Sequence, residues 1–223
     1  MSKGKIIVLE GLDGCGKSTQ LQLLADRLAA DGVTSRLISF PNYDSPSGKI
    51  VSQYLGGDIP CDGEIGAYAA SSFYAVDRYI SFSTDWSREY SSGSVIVSGR
   101  YTTSNAIYQM TKLSADKRDE YLSWLWEYEY EKLGLPKPDM VLFLDMPIEV
   151  SQKLLSARYE GDESKKDIHE SNIVFMKQCR ESALYTVEKN GWCMIQCSDG
   201  EQPLSIEDIH EKIMAKVKEI IDV

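Results

Sequence analysis

Ile6-Ile7-Val8-Leu9-Glu10-Gly11-Leu12-Asp13-Gly14-Cys15-Gly16-Lys17-Ser18-Thr19-Gln20 decides the fold of this chain. A short apolar run enters a glycine-rich turn, and the turn enters a helical pattern. Gly11, Gly16, Lys17 and Ser18 fit G-x-x-x-x-G-K-[ST], the phosphate-binding P-loop. The glycines let backbone N–H groups turn inward around phosphate oxygens, and the following helix aims its positive N-terminal end at them. Lys17 can reach the β- and γ-phosphates, and the Ser18 hydroxyl can ligate magnesium. The alternative is a coincidental strand-to-helix turn carrying a lysine. The apolar strand before the loop and the amphipathic helix after it argue against coincidence. A nucleoside triphosphate is therefore assigned to Gly11, Leu12, Asp13, Gly14, Cys15, Gly16, Lys17, Ser18 and Thr19.

Outward from the loop, strands and helices alternate. Leu21, Leu24 and Leu28 recur at helical spacing up to about Asp31, with Gly32 as the stop. Val33–Phe40 is a second strand, Asn42–Gly48 a turn-rich loop, and a helix follows over about Gly48–Leu55. Residues 64–90 read as a longer helix, and Ser94-Val95-Ile96-Val97-Ser98 as a buried strand. An aromatic-rich helix over 114–132 is expected to serve the core or a dimer face rather than a ligand, because aromatics mostly pack. Pro136 and Pro138 lead into the strand Met140–Asp145, and a helix runs from Pro147 to about Arg158. Residues 159–170 are polar and loop-like, a helix covers about 171–189, and Trp192–Cys197 is the last strand. Ser205 and Asp208 cap the final helix. The order implies an α/β three-layer sandwich around a parallel sheet of about five strands.

The 223 residues read as one domain. No apolar run approaches 18 residues, and Met1-Ser2-Lys3-Gly4 lacks signal-peptide features. Five scattered cysteines suit reduced thiols in a cytoplasm. A net charge of −10 argues against a broad nucleic-acid or anionic-membrane surface, so phosphate binding must rest on a few placed cations and backbone amides. That suits a small phosphorylated substrate.

Further stretches narrow the class. Phe40-Pro41 is followed by Gly48-Lys49, then by Tyr74-Ala75-Val76-Asp77-Arg78-Tyr79. Arg100-Tyr101-Thr102-Thr103-Ser104-Asn105-Ala106-Ile107-Tyr108-Gln109 follows the third strand, Leu142-Phe143-Leu144-Asp145-Met146-Pro147 contains the fourth, and a charged segment begins near Arg158. With Glu10-Gly11-Leu12-Asp13 and the P-loop, in this order and spacing, the sequence resembles the thymidylate (dTMP) kinase family over nearly its whole length. The resemblance implies a P-loop kinase domain over 1–223 with a lid at about 158–170. It also implies Mg- and ATP-dependent phosphorylation of dTMP to dTDP, in dTTP biosynthesis, by a cytoplasmic homodimer. Two alternatives stand beside it. One is a kinase for another deoxynucleoside monophosphate, the other a weakly catalytic P-loop nucleotide-binding protein.

The resemblance also assigns roles. Tyr74 and Arg78 lie four apart on one helix and face the same way; thymine is expected to stack on Tyr74 and to be held by Arg78. The helix alone favours a buried Tyr beside a surface Arg paired with Asp77, and only the resemblance reverses this. Arg100 is expected to grip the acceptor phosphate with its planar fork, Asp13 to meet the sugar hydroxyl, Asn105 to read the thymine edge, and Tyr108 to crowd the 2′ position. Phe40, Pro41, Tyr43 and Ser104 complete the acceptor set. Ser104, Asn105 and Tyr108 could also be an ordinary helix start. Some family members carry Arg inside the P-loop where this chain has Gly14, so the transferring phosphoryl group is expected to meet Lys17, Arg100 and a lid cation. Arg158 is the first candidate for that cation, then Lys165 and Lys166. Two positions depart from the family. Tyr43 stands for an Arg, and Gly99 for an Asp near magnesium, whose task is expected to pass to Ser18, Glu10 or water.

Overall fold

The computed structural model describes residues 3–158 and 172–221, apart from the side chain of Arg158. In chain order, β1 (Ile6–Gly11) leads through the P-loop into α1 (Lys17–Ala30) and returns to β2 (Ser35–Ser39). Two helices follow, α2 (Pro46–Gly56) and α3 (Ala67–Ser81). A wide π turn over Phe82–Trp86 joins α3 to the short α4 (Ser87–Ser91), which precedes β3 (Val95–Gly99). Next come α5 (Thr102–Tyr108) and α6 (Arg118–Trp126), the latter running into a second π turn at Glu127–Lys132. After β4 (Met140–Asp145) comes α7 (Ile148–Arg158), then α8 (Ile173–Asn190), β5 (Cys193–Gln196) and α9 (Ile206–Val217).

Five strands form one sheet in the order β2-β3-β1-β4-β5, with every neighbouring pair parallel. All six residues of β1 are buried, as a central parallel strand covered on both faces must be. Successive side chains alternate between faces. Ile7 and Leu9 pack with Leu21, Leu24 and Leu28 of α1 and Ile209 and Ile213 of α9. Ile6 and Val8 pack on the other face with Phe40, Trp86 and Tyr101. Strand order changes direction at β1, so the loop after it opens at the topological switch point, where open α/β sheets bind ligands.

Side-chain caps set some of the helix starts. Ser45 Oγ accepts from Gly48 N at 2.9 Å and Ser205 Oγ from Asp208 N at 3.0 Å, capping α2 and α9. The two long helices read from the sequence are both interrupted. The expected helix over 64–90 is α3, a π turn and α4, and the expected helix over 114–132 becomes regular only at Arg118 and widens again at Glu127. Its aromatics pack, with Trp124 stacked on Tyr128 and Trp126 on Tyr130 at centroid separations of 5.2 and 5.6 Å. Arg158 ends α7; its side chain, with Lys165 and Lys166, lies outside the described residues.

Candidate active site

The P-loop geometry follows from its glycines. Gly16, at the edge of α1, has φ 84° and Gly14 has φ 80°, a region in which L side chains are strained. Gly14 also lies tight on α7: a Cβ there would sit 2.8 Å from Leu155 Cγ and 2.9 Å from Ser151 O. This packing leaves no room for an arginine at position 14, and Lys17 is the loop's cation. Its Nζ donates to Gly11 O at 2.8 Å, curling over the loop that it would share with phosphates. Ser18 and Thr19 are exposed in the first turn of α1, while Cys15 is buried beneath, its thiol pushed up by that burial.

A cavity of about 440 Å³ lies along this loop, with an apolar wall that includes Leu154, Pro203, Leu204 and Ile206. A second cavity, of about 330 Å³, is lined by Phe40, Pro41, Tyr43, Tyr74, Arg78, Ser104, Asn105 and Tyr108. Asp13 and Arg100 line both. The expected acceptor residues, spread over 95 positions of sequence, are thus brought to one wall-to-wall pocket beside the P-loop.

Arg100 directly follows β3 and has φ 76°, the only non-glycine with positive φ among the described residues. Such strain costs on the order of 1–3 kcal/mol and persists where the surroundings hold it. Here Arg100 Nη2 donates to Asp13 Oδ1 at 2.7 Å, and its guanidinium lies over the Tyr108 ring, 4.8 Å from the centroid. Burial works against the charge, but Tyr108, Asp13 and Glu10 hold Arg100 well above the ordinary arginine value. Asp13, an acid beside the expected triphosphate site, is therefore matched by a cation. Burial pushes the Tyr74 and Tyr108 hydroxyls up, so both remain phenols near neutral pH.

Arg78 is not the surface arginine paired with Asp77 that its helix taken alone allowed, and it lines the second cavity. It is 1% exposed and forms a bidentate pair with Glu129, Nε to Oε2 at 2.7 Å and Nη2 to Oε1 at 2.5 Å. Asp77 instead accepts from Asn42 N and the Ser45 and Ser47 hydroxyls. Glu129 was not singled out by motif. It continues the buried stripe Tyr121, Leu122, Leu125 at helical spacing, and a charge on that stripe is the signal that could have found it. Tyr54, packed edge-on against Tyr74, and Lys112 also line the acceptor cavity without a motif to announce them, and Gln109, the last residue of the Arg100–Gln109 stretch, lines it too.

Glu10, expected to share the task of the missing acid at Gly99, is committed through one oxygen, while its Oε2 is buried without a hydrogen-bond partner among the described residues. Oε1 accepts from the Thr103 and Ser104 hydroxyls at 2.6 and 2.7 Å, fixing the start of α5, and the residue is fully buried. At Gly99 a Cβ would lie 2.3 Å from Leu21 Cδ1, so a leucine of α1 holds the room that a carboxylate would need. For magnesium, Ser18 is an exposed hard-oxygen donor in the P-loop cavity. No cluster of three acidic, His or Cys ligands stands ready among the described residues. This donor set fits an ion held chiefly by nucleotide phosphates and water, the usual habit of magnesium.

Two cavities that meet at a P-loop, with Asp13 and Arg100 lining both, have the layout of a P-loop phosphotransferase. The chain belongs to the thymidylate kinase family, whose model matches residues 9–213. It is 29% identical to a thymidylate kinase of Mycobacterium tuberculosis over 84% of this chain and 87% of that one. It is 28% identical to the Homo sapiens thymidylate kinase, over 95% and 88% of the respective chains. A probable thymidylate kinase of Pyrococcus horikoshii is 30% identical over 97% of each. Among solved structures, a thymidylate kinase from Candida albicans superposes with a TM-score of 0.70, covering 98% of this chain and 93% of that one at 21% identity.

Proposed function

We propose that this enzyme transfers the γ-phosphoryl group of ATP to dTMP, giving ADP and dTDP. The observation that carries the reading is the Asp13–Arg100 pair shared by both cavities, next to the P-loop. An oxygen of the acceptor phosphate, gripped by Arg100, attacks the γ-phosphorus while the bond to the β-phosphate breaks. The protein's work is to place two nucleotides in line and to neutralise charge. Lys17 meets the β- and γ-phosphates, Tyr74 stacks the base, Arg78 and Asn105 meet its edge, Asp13 meets the sugar hydroxyl and Tyr108 crowds the 2′ position. Ser18, with the triphosphate, would hold magnesium, which would supply charge neutralisation there. Arg158, or the Lys165–Lys166 pair, supplies the lid cation.

Family membership supports dTMP as the acceptor, and a coupled ADP-release assay over a panel of monophosphates tests it. The expected result is a clear preference for dTMP over dCMP, dAMP and dGMP, with magnesium required. Preference for another monophosphate overturns the acceptor, and nucleotide binding without turnover overturns the enzyme. A cytoplasmic homodimer belongs to the same reading. The exposed side chains Val76, Tyr79 and Ile80 on α3 are a face that a second copy would cover, and sedimentation equilibrium at working concentration tests it. No helix among the described residues is long and apolar enough to cross a membrane.

A further inference from the structure

The acceptor cavity is backed by a carboxylate that takes no part in the transfer. Glu129 is fully buried and lies against four donors: Arg78 Nε at 2.7 Å, Arg78 Nη2 at 2.5 Å, Thr102 Oγ1 at 2.7 Å and Asn105 Nδ2 at 3.1 Å. Both oxygens therefore accept. A carboxylate that only accepts dictates which end of a neighbouring amide faces it. The Asn105 amide must turn Nδ2 toward Glu129, and the Ser71 carbonyl oxygen, 3.3 Å away, accepts from the same nitrogen. That leaves Oδ1 as the group Asn105 can offer to the cavity it lines. Arg78, also in the lining, has no acceptor at all. Two of its N–H groups are held by Glu129 and a third points to Tyr101 O at 3.4 Å, so its plane is set.

We propose that Glu129 is a specificity-determining positioning residue: it fixes the polarity of the Arg78–Asn105 pair as donor beside acceptor. Such a pair matches a nucleobase edge with a ring N–H next to a carbonyl oxygen, as in thymine and uracil. It mismatches cytosine, whose edge carries a ring-nitrogen acceptor next to an amino group. A buried site with set hydrogen-bond polarity discriminates strongly because the wrong ligand leaves its groups unpaired. The inference deepens the acceptor reading above and rests on it.

Glu129→Gln tests it. The new amide has nearly the same shape but brings a donor, so Asn105 can turn its Oδ1 inward and present Nδ2 to the cavity. kcat/KM is measured for dTMP, dUMP and dCMP in wild type and variant. Ratios between acceptors cancel the concentration of active enzyme, so partial unfolding does not distort them. The dTMP-to-dCMP ratio is expected to fall about tenfold or more. The dTMP-to-dUMP ratio, which reports the same edge, and the KM for ATP should stay put. A dTMP-to-dCMP ratio within about twofold of wild type overturns the inference whatever happens to absolute rates, since support of packing alone would slow all acceptors together. Where Glu129→Gln yields no folded enzyme, Glu129→Asp carries the same test. Its carboxylate is a methylene too short to hold both partners, and an unchanged ratio again overturns the role. A wild type with no preference for dTMP over dCMP removes the acceptor reading itself, and the inference with it. An unmoved ratio in the variant of a selective wild type removes the inference alone.

Discussion

The phosphate loop and the base end of the acceptor cavity lie on either side of the Asp13–Arg100 pair, and their polar groups are held by different means. Around the loop, Ser18 and Thr19 are exposed, and among the described residues Lys17 is tied only to the carbonyl of Gly11, six residues away. At the base end, Arg78, Glu129, Asn105 and Thr102 are all buried, and they satisfy one another across three segments of the chain. Phosphate is a multivalent anion that accepts hydrogen bonds from every side, so backbone amides and one flexible cation suffice. A base edge offers a short pattern of donors and acceptors, and reading it requires groups that cannot rotate to suit the wrong partner. Function should therefore separate cleanly from stability in the loop and not at the base end.

The largest expected effect lies in the loop. Lys17→Ala should lower kcat by about 10³-fold or more, because charge on the transferring group goes unmet. Its unfolding free energy should stay within about 0.5 kcal/mol of wild type, as for most half-exposed side chains. A folded variant with wild-type turnover would remove the donor assignment and with it one side of the comparison.

Arg78→Ala should behave in the opposite way. Removing one partner of a buried ion pair leaves Glu129 uncompensated, at a cost of about 3–5 kcal/mol. Chemical denaturation should register this loss before any nucleotide is added, and the Arg78→Ala, Glu129→Gln double variant should recover part of it. A stability near wild type for Arg78→Ala would mean that the base end is no more rigid than the loop.

Gly99 sits between the two regions, lining the donor cavity beside Arg100. Because a Cβ there meets Leu21 Cδ1 at 2.3 Å, Gly99→Ala and Gly99→Asp should each destabilise by about 1–3 kcal/mol through overpacking. Leu21→Ala should relieve part of that cost, and the Leu21→Ala, Gly99→Asp pair is the variant in which a carboxylate could reach magnesium. Magnesium titrations of activity on that pair, against Gly99→Asp alone, measure the effect. Equal stability of Gly99→Asp and wild type would remove Leu21 as the reason for the glycine.

The smallest effect is expected at Tyr108. Tyr108→Ala opens space next to Arg100 and should raise the kcat/KM of UMP relative to dUMP by roughly tenfold, the scale of a single steric contact. No change in that ratio would mean that Tyr108 acts on the sugar only by holding the Arg100 guanidinium over its ring.

The P-loop, the strand that precedes it and the order of strands and helices were legible because each is a short-range pattern. β4 matches its expected bounds, Met140–Asp145, and the other four strands differ only at their ends. The π turns at Phe82–Trp86 and Glu127–Lys132 left no such pattern, since an added residue in one turn is invisible to a count of apolar spacing. The expected lid cations, Arg158, Lys165 and Lys166, have side chains outside the described residues.

By itself the sequence determined that a triphosphate loop follows a buried strand. It also determined that Arg100 stands at the carboxyl end of another strand and that Tyr74 and Arg78 share a helix face. All three follow from local geometry, the helix and strand periods and the turn chemistry of glycine. Only the tertiary structure decided whom those residues meet. Arg78 finds Glu129 across 51 positions and Arg100 finds Asp13 across 87, while Leu21 closes the space over Gly99. Burial makes these pairings obligatory, because a charge or a polar group withdrawn from water must be met by another. Which partner meets it depends on how the helices stack on the sheet, and no window of sequence contains that.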